Sequence, residues 1–220
     1  SDGRDILSKL IALSGGYLLP GLLAIGIALL GGVILGSLSG YYTPAGHPKG
    51  AQEKVRFLSL SWFLSGFDFL IRYGFDLINA LPQLALIFLV CATVSTNIYW
   101  ITGTLGVMGA MKLGGLLRNE IIALRQEGYI EAAIELGLSD ATILRRHLLL
   151  TQLRPLLISY AFHLFADVLL VETTLRFFFQ IIPDAENSWG KLLVDAKNLI
   201  FTLHPPIRQL GEAPVHLWWF

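Results

Sequence analysis

The chain has 220 residues, of which 54% are hydrophobic and only 15% charged, and its 16 basic and 16 acidic residues cancel. Ordinary soluble domains carry about 25% charge, so this composition excludes a disordered chain and argues against a soluble enzyme. Zero net charge offers no field for nucleic acid, and the lone Cys91 excludes an internal disulfide and a cysteine-based metal site. An integral membrane protein is the class that remains.

The opening residues Ser1-Asp2-Gly3-Arg4-Asp5 show no signal-peptide pattern. The chain closes on Leu217-Trp218-Trp219-Phe220, so it reads as a piece with sequence missing at one or both ends. A membrane-crossing helix needs about 20 mostly apolar residues. The first such stretch is Tyr17 to Leu38. Its Gly32, Gly36 and Gly40 recur every fourth residue, a small-residue face that suits close helix packing, against a partner subunit or within this chain.

Residues 57–75 are apolar but interrupted by Asp68 and Arg72, an i,i+4 pair in the favourable order, and read as an interfacial helix. No charge occurs between Asp76 and Lys112, and Ser95-Thr96-Asn97 is the polar break within that run. Spans are therefore expected at about 76–95 and 98–117, joined by a tight turn. Pro82 removes a backbone donor and should bend the first of them. A fourth span is expected from Pro155 to about Val171, and it contains His163 and Asp167. An ionisable group inside a span is costly, so it tends to face the bundle interior or water.

With the N-terminus outside, segments 41–75 and 112–154 lie inside and hold ten of the 16 Lys and Arg residues. The positive-inside rule favours that orientation. The loop 118–152 then lies in the cytoplasm. Ile130, Ala133, Ile134 and Leu136 share a helical face. Gly137 suits a left-handed C′ position, Ser139 can cap the next helix, and Asp140 favours its positive end. The pattern is helix, sharp turn, helix. A DNA-binding reading fails, because a loop tethered between two spans cannot enter a major groove and no wider basic patch accompanies it. A docking element for a cytoplasmic partner fits.

Glu131-Ala132-Ala133, three residues and then Gly137 resembles the EAA motif of type I ABC importer permeases, and Arg146-His147 continues it. Gly3-Arg4-Asp5-Ile6-Leu7-Ser8-Lys9-Leu10, the Asp76-to-Pro82 spacing, Glu172-Thr173-Thr174-Leu175 and Ser188-Trp189-Gly190 with Leu193 resemble further segments, in order, of the C-type subunit of dipeptide, oligopeptide and nickel importers. The chain departs from that pattern at Leu150, Thr151, the Arg176-Phe177-Phe178-Phe179 run, His163 and Asp167. Relatives of this type also have one helix before and one after the stretch seen here.

The resemblance implies an all-α, polytopic transmembrane helix bundle of the MetI-like type, with about four complete spans plus interfacial and coupling helices. Residues 1–220 would form a single permease domain, with a cytoplasmic coupling loop at 118–152 and an extracytoplasmic loop at 174–214. It implies an ATP-driven importer subunit for peptides or a related small solute in the bacterial cytoplasmic (inner) membrane. The implied partners are a second permease subunit, two cytoplasmic ATPases, an extracytoplasmic solute-binding protein and membrane lipid, but no nucleic acid. ATP and Mg would be used by the ATPase, and no cofactor or metal by this chain, which lacks a phosphate-binding Gly-rich loop. Glu131, Ala132, Ala133, Gly137, Ser139, Arg146 and His147 are the expected coupling residues. Pro82, His163, Asp167, Glu172, Trp189 and Gly190 are candidates for the pathway or for a scoop. The alternative is a gradient-driven transporter or channel using Asp167 and His163.

Overall fold

A computed structural model describes residues 6–42, 60–179 and 188–203. The Gly3-Arg4-Asp5 stretch, the whole tail beyond Leu203 with His204 and His216, and His47 lie outside the described residues, as does the side chain of Asp68. Among the described residues every regular element is helical: α1 (Ile6–Tyr42), α2 (Leu60–Ala80), α3 (Gln83–Thr93), α4 (Ile98–Leu124), α5 (Gly128–Glu135), α6 (Asp140–Thr142), a π-helical segment Ile143–Gln152, α7 (Arg154–Thr174), a second π-helical turn Leu175–Phe179, and α8 (Trp189–Leu203).

Helix α1 has 37 residues. At about 1.5 Å per residue it is longer than the roughly 30 Å hydrocarbon layer, so its ends project beyond it. Within it, Leu10–Tyr41 is apolar enough to cross a membrane, and so is Arg154–Phe179. Both contain the stretches expected at 17–38 and 155–171.

The span expected at 76–95 is not continuous. Phe69–Ala80 and Gln83–Thr93 meet at 92°. Pro82 sits at the N-cap of α3 with extended φ and ψ of −62° and 123°. Its ring and missing N–H end α2 at this point, and the 11 residues of α3 are too few to cross alone. The expected bend is present, but it is a right-angled break that makes a broken or re-entrant pair. The expected turn at 95–97 forms, with Asn97 Oδ1 accepting the Tyr99 N–H at 3.0 Å. Helix α4 is long enough to span and carries Lys112 near its middle. By length and composition, two helices among the described residues are apolar enough to cross a membrane, or three if the bent pair is one span.

In lipid there is no hydrophobic drive between helices, so close van der Waals packing must hold them together. That is the role of the glycine face of α1. A β-carbon on Gly36 would lie 2.6 Å from the Gly114 carbonyl oxygen, and one on Gly32 2.8 Å from the Leu113 β-carbon. The face packs on α4 of the same chain, which decides between the two readings open in the sequence. Gly36→Ala is expected to force α1 and α4 apart and to cost about 1–3 kcal/mol. Gly26→Ala, where a β-carbon meets nothing within 4 Å, is the control. Thermal unfolding in detergent checks the pair, and equal midpoints would contradict the packing role.

Two apolar clusters stack along the α1–α4 pair. One joins Ala24, Ala28, Ile87, Ile101, Leu105, Leu164, Val168, Val171 and Leu175. The other joins Tyr41, Leu113, Leu117, Ile121, Ile130, Ala133, Ile143, Leu148 and Leu153. The second cluster brings the loop helix α5 and the π-helical segment onto the end of the bundle. That segment widens the helix, with Leu153 N–H bonding the Leu148 carbonyl at 2.9 Å and Thr151 Oγ1 the Arg146 carbonyl at 2.7 Å. It ends just before Pro155, whose ring cannot accommodate an ordinary helical turn behind it.

Candidate functional site

The candidate residues fall into three places. The first is the turn at 128–142. Gly137 has φ of +79°, the left-handed conformation expected of it, and its N–H bonds the Ile134 carbonyl at 3.0 Å. Ser139 caps α6 by accepting the Thr142 N–H. Ile130 is fully buried and Ala133 nearly so, seating α5 on the chain's own core. Glu131 and Ala132 face outward. The motif's two alanines therefore have opposite tasks: Ala133 packs inward and only Ala132 is available to a partner. Arg146 is exposed and His147 half-buried on the following segment.

The turn is braced by two residues the sequence reading did not single out, Tyr41 and Arg125. The Tyr41 hydroxyl donates to Asp140 Oδ1 at 2.6 Å. Buried Arg125 donates to the Tyr41 carbonyl and lies over the Tyr41 ring, 4.1 Å from its centre. The outward surface carries Tyr129, Ile134, Leu136 and Leu138, and Leu136 is 82% exposed. The Tyr129 phenol is held above its usual range, by burial first and then by the Glu127 carboxylate, against a hydrogen bond with Gln152 that opposes the shift. It is therefore neutral at physiological pH. A rigid, mostly apolar knob at one end of a helix bundle is suited to protein docking.

The second place is a buried network at the far end of α7. Glu172 and Arg176 are 2% and 5% exposed. Arg176 Nε donates to Glu172 Oε1 at 2.8 Å, and the Tyr17 hydroxyl donates to Oε2 at 2.8 Å. The Trp189 backbone N–H donates to Tyr17 Oη at 2.7 Å, and its indole N–H to the Leu10 carbonyl at 3.2 Å. The Tyr17 and Trp189 rings meet edge to face, 5.9 Å apart. Gly190 admits this packing, since a β-carbon there would lie 2.9 Å from Arg176 Cδ and 3.2 Å from Glu172 Oε2. Within this chain Glu172 and Gly190 are buried and Trp189 is half-buried. They fold the start of α8 back onto α1 and α7. Arg176, read in the sequence as a departure, is the ion partner of Glu172. Its i,i+4 spacing was a usable signal, whereas Tyr17, 155 residues from Glu172, gave none.

The third place is a cleft of about 560 Å³ between α2, α4 and α7, lined among others by Arg72, Asp76, Lys112, Arg118, His163 and Asp167. Of the pathway candidates, His163 and Asp167 reach it and Pro82 does not. His163 Nε2 and Asp167 Oδ2 are 4.0 Å apart, too far for a hydrogen bond. Among the described residues no group of three or more His, Cys, Asp or Glu side chains could hold a metal ion.

Known proteins resemble this arrangement at the level of sequence. A family model described as "Binding-protein-dependent transport system inner membrane component" matches residues 59–195, which include the whole turn, the cleft and the Trp189 segment. The chain belongs to this family. This permease-family chain is 29% identical over 201 residues, 90% of its length, to the inner membrane ABC transporter permease protein YejE of Escherichia coli (strain K12), covering 52% of that protein. It is 26% identical over 198 residues to the dipeptide transport system permease protein DppC of Alkalihalophilus pseudofirmus, covering 90% of this chain and 58% of the other. It is 28% identical over 123 residues to the oligopeptide transport system permease protein OppC of Salmonella typhimurium, covering 56% and 40%. The permease chain spans about half the length of the curated relatives it matches. No solved structure matches it. Its family places it among multi-pass transport components of the inner membrane rather than among enzymes.

Proposed function

We propose that this chain is the core of a permease subunit of an ATP-driven importer for peptides or a related small solute. A second permease subunit completes the pathway, two cytoplasmic ATPases drive it, and an extracytoplasmic binding protein delivers the solute. The ATPases use ATP and Mg. The N-terminus lies outside, so that 118–152 faces the cytoplasm and 174–214 the exterior. The relatives named for dipeptide and oligopeptide transport support the solute class.

The observation that carries the ATPase-coupling part is the braced turn around Gly137. Glu131, Ala132, Ile134 and Leu136 stand outward, while Ile130 and Ala133 lock the same helix to the bundle. A push on this knob is transmitted to α4 and to the segment leading into α7, because its foot shares their apolar cluster. The gradient-driven alternative keeps a single observation, the His163–Asp167 pair, and the family gives it no further support.

The test is expression with the neighbouring genes of the same operon, purification in mild detergent, and identification of what co-purifies. An ATPase is expected with the wild type. Leu136→Asp places a charge on the most exposed apolar residue of the knob and is expected to cut recovery of the ATPase about tenfold or more, as for loss of an interface hot spot. Absence of any ATPase from the intact complex would refute the importer reading. Undiminished recovery with Leu136→Asp would refute docking through this turn.

A further inference from the structure

Resting on the permease reading above, we propose that Arg145, Arg146 and Arg154 hold the headgroup of an anionic phospholipid of the cytoplasmic leaflet, with its acyl chains against the exposed ridge of α7. All three arginines are exposed. Among the described residues none of them is in an ion pair or a side-chain hydrogen bond. The chain holds no Asp or Glu between Asp140 and Asp167, so nothing close in sequence answers their charge. Arg154 opens the apolar stretch Arg154–Phe179. That sets it at the boundary between hydrocarbon and headgroups, where basic side chains meet anionic lipid.

The apolar half of the site is a row of exposed positions, each four residues after the last: Arg146, Leu150, Arg154, Ile158 and Phe162. Positions four apart are neighbours on a helix surface, so the row is a continuous ridge that starts basic and turns apolar. Leu150, Ile158 and Phe162 are 61%, 48% and 74% exposed. Phe162 lies two helical turns beyond Arg154, about 12 Å along the axis, within reach of an acyl chain whose headgroup sits on the arginines. A phospholipid has the same division, an anionic phosphate at one end and apolar chains at the other. The neighbouring docking turn has the opposite sign. Glu127, Glu131, Glu135 and Asp140 are exposed there, and no Lys, Arg or His occurs between Arg125 and Arg145. An anionic leaflet repels that turn and attracts the arginines, so the acidic surface is left to a protein partner and the basic one to lipid.

The test uses the full-length permease with whatever subunits co-purify, delipidated in mild detergent and observed by native mass spectrometry. The probes are phosphatidylglycerol and phosphatidylcholine with the same acyl chains. Phosphatidylglycerol is expected to bind about tenfold or more tightly, and the preference to fall as salt is raised. Arg145→Gln and Arg154→Gln should each reduce the preference about fivefold. Arg145→Lys and Arg154→Lys keep the charge and should retain most of it. Phe162→Ser should weaken both lipids alike. The wild-type comparison and its salt dependence need no variant. Equal binding of the two lipids by the wild type, or an undiminished preference in the double glutamine variant, overturns the proposal. So does displacement of phosphatidylglycerol by inorganic phosphate, which marks a site for a free anion. Loss of the second permease subunit or of the ATPase from the glutamine variants, with the lipid preference unchanged, also overturns it and assigns the arginines to a protein interface. Lipid binding is read without solute or nucleotide, so the absence of any ATPase from the wild type counts against the importer reading and not against the lipid site.

Discussion

Gly137→Pro is expected to abolish co-purification of the ATPase while the protein still inserts and keeps its α1–α4 pairing. Proline fixes φ near −65°, whereas Gly137 has φ of +79°. The substitution also removes the N–H that bonds the Ile134 carbonyl at 3.0 Å. The chain between α5 and α6 must then leave on a different course, carrying Leu136, Leu138 and Ser139 out of their present positions. Bulk is not the cause, because a β-carbon at Gly137 meets nothing within 4 Å. Gly137→Ala is therefore expected to do less, costing about 1–2 kcal/mol for a left-handed non-glycine residue, and to lower the amount of ATPase recovered without eliminating it. The ratio of ATPase to permease in the purified complex, quantified for wild type, alanine and proline variants, is the measurement. A wild-type ratio in the proline variant would show that the turn does not set the docking geometry.

Glu172→Ala is expected to destabilise the fold by about 3–5 kcal/mol, the usual cost of breaking a buried ion pair by removing one partner. It deletes the carboxylate that Arg176 donates to at 2.8 Å and the acceptor of the Tyr17 hydroxyl. Tyr17 in turn positions Trp189, so the start of α8 should loosen from α1 together with the pair. Glu172→Gln keeps an acceptor at the same place and should cost less. The double substitution Glu172→Leu with Arg176→Met, which removes both charges, should recover most of the loss. Unfolding in mixed detergent micelles, followed by circular dichroism, reports the stability. An alanine variant that unfolds with the wild type would mean that the network does not hold this end of the molecule together.

Much of the architecture was legible because its causes are local. Long uncharged runs announce membrane helices, and two of the expected spans lie within α1 and α7. Gly137 and Ser139 act through their own backbone geometry and nearest N–H groups, so the turn and the cap were readable from two residues. Pro82 was rightly expected to bend its helix, but the size of the bend was not readable. A proline only forbids an ordinary turn, and the neighbours that α2 and α3 pack against decide whether the chain kinks or breaks at 92°. The glycine face of α1 was visible as a pattern, yet its partner was not, since a small-residue stripe fits any other small-residue stripe. The candidate residues divided for the same reason. Glu172, Trp189 and Gly190 were visible as motifs, but that Glu172 is buried against Tyr17 and Arg176, with Trp189 half-buried beside them, was not.

By itself, then, the sequence determined that the protein is a helical membrane protein, where its apolar helices run, and that a helix–turn–helix knob interrupts them. These follow from hydropathy, backbone conformation and capping, which act over a few residues. The tertiary structure decided which helices touch, that Ala133 packs inward while Ala132 faces out, that a buried carboxylate ties α7 to α1 and α8, and that Arg72, Asp76, Lys112 and Asp167 share one cleft. Those outcomes depend on the close approach of surfaces far apart in the chain, and in lipid that approach is set by shape and polar pairing rather than by hydrophobicity.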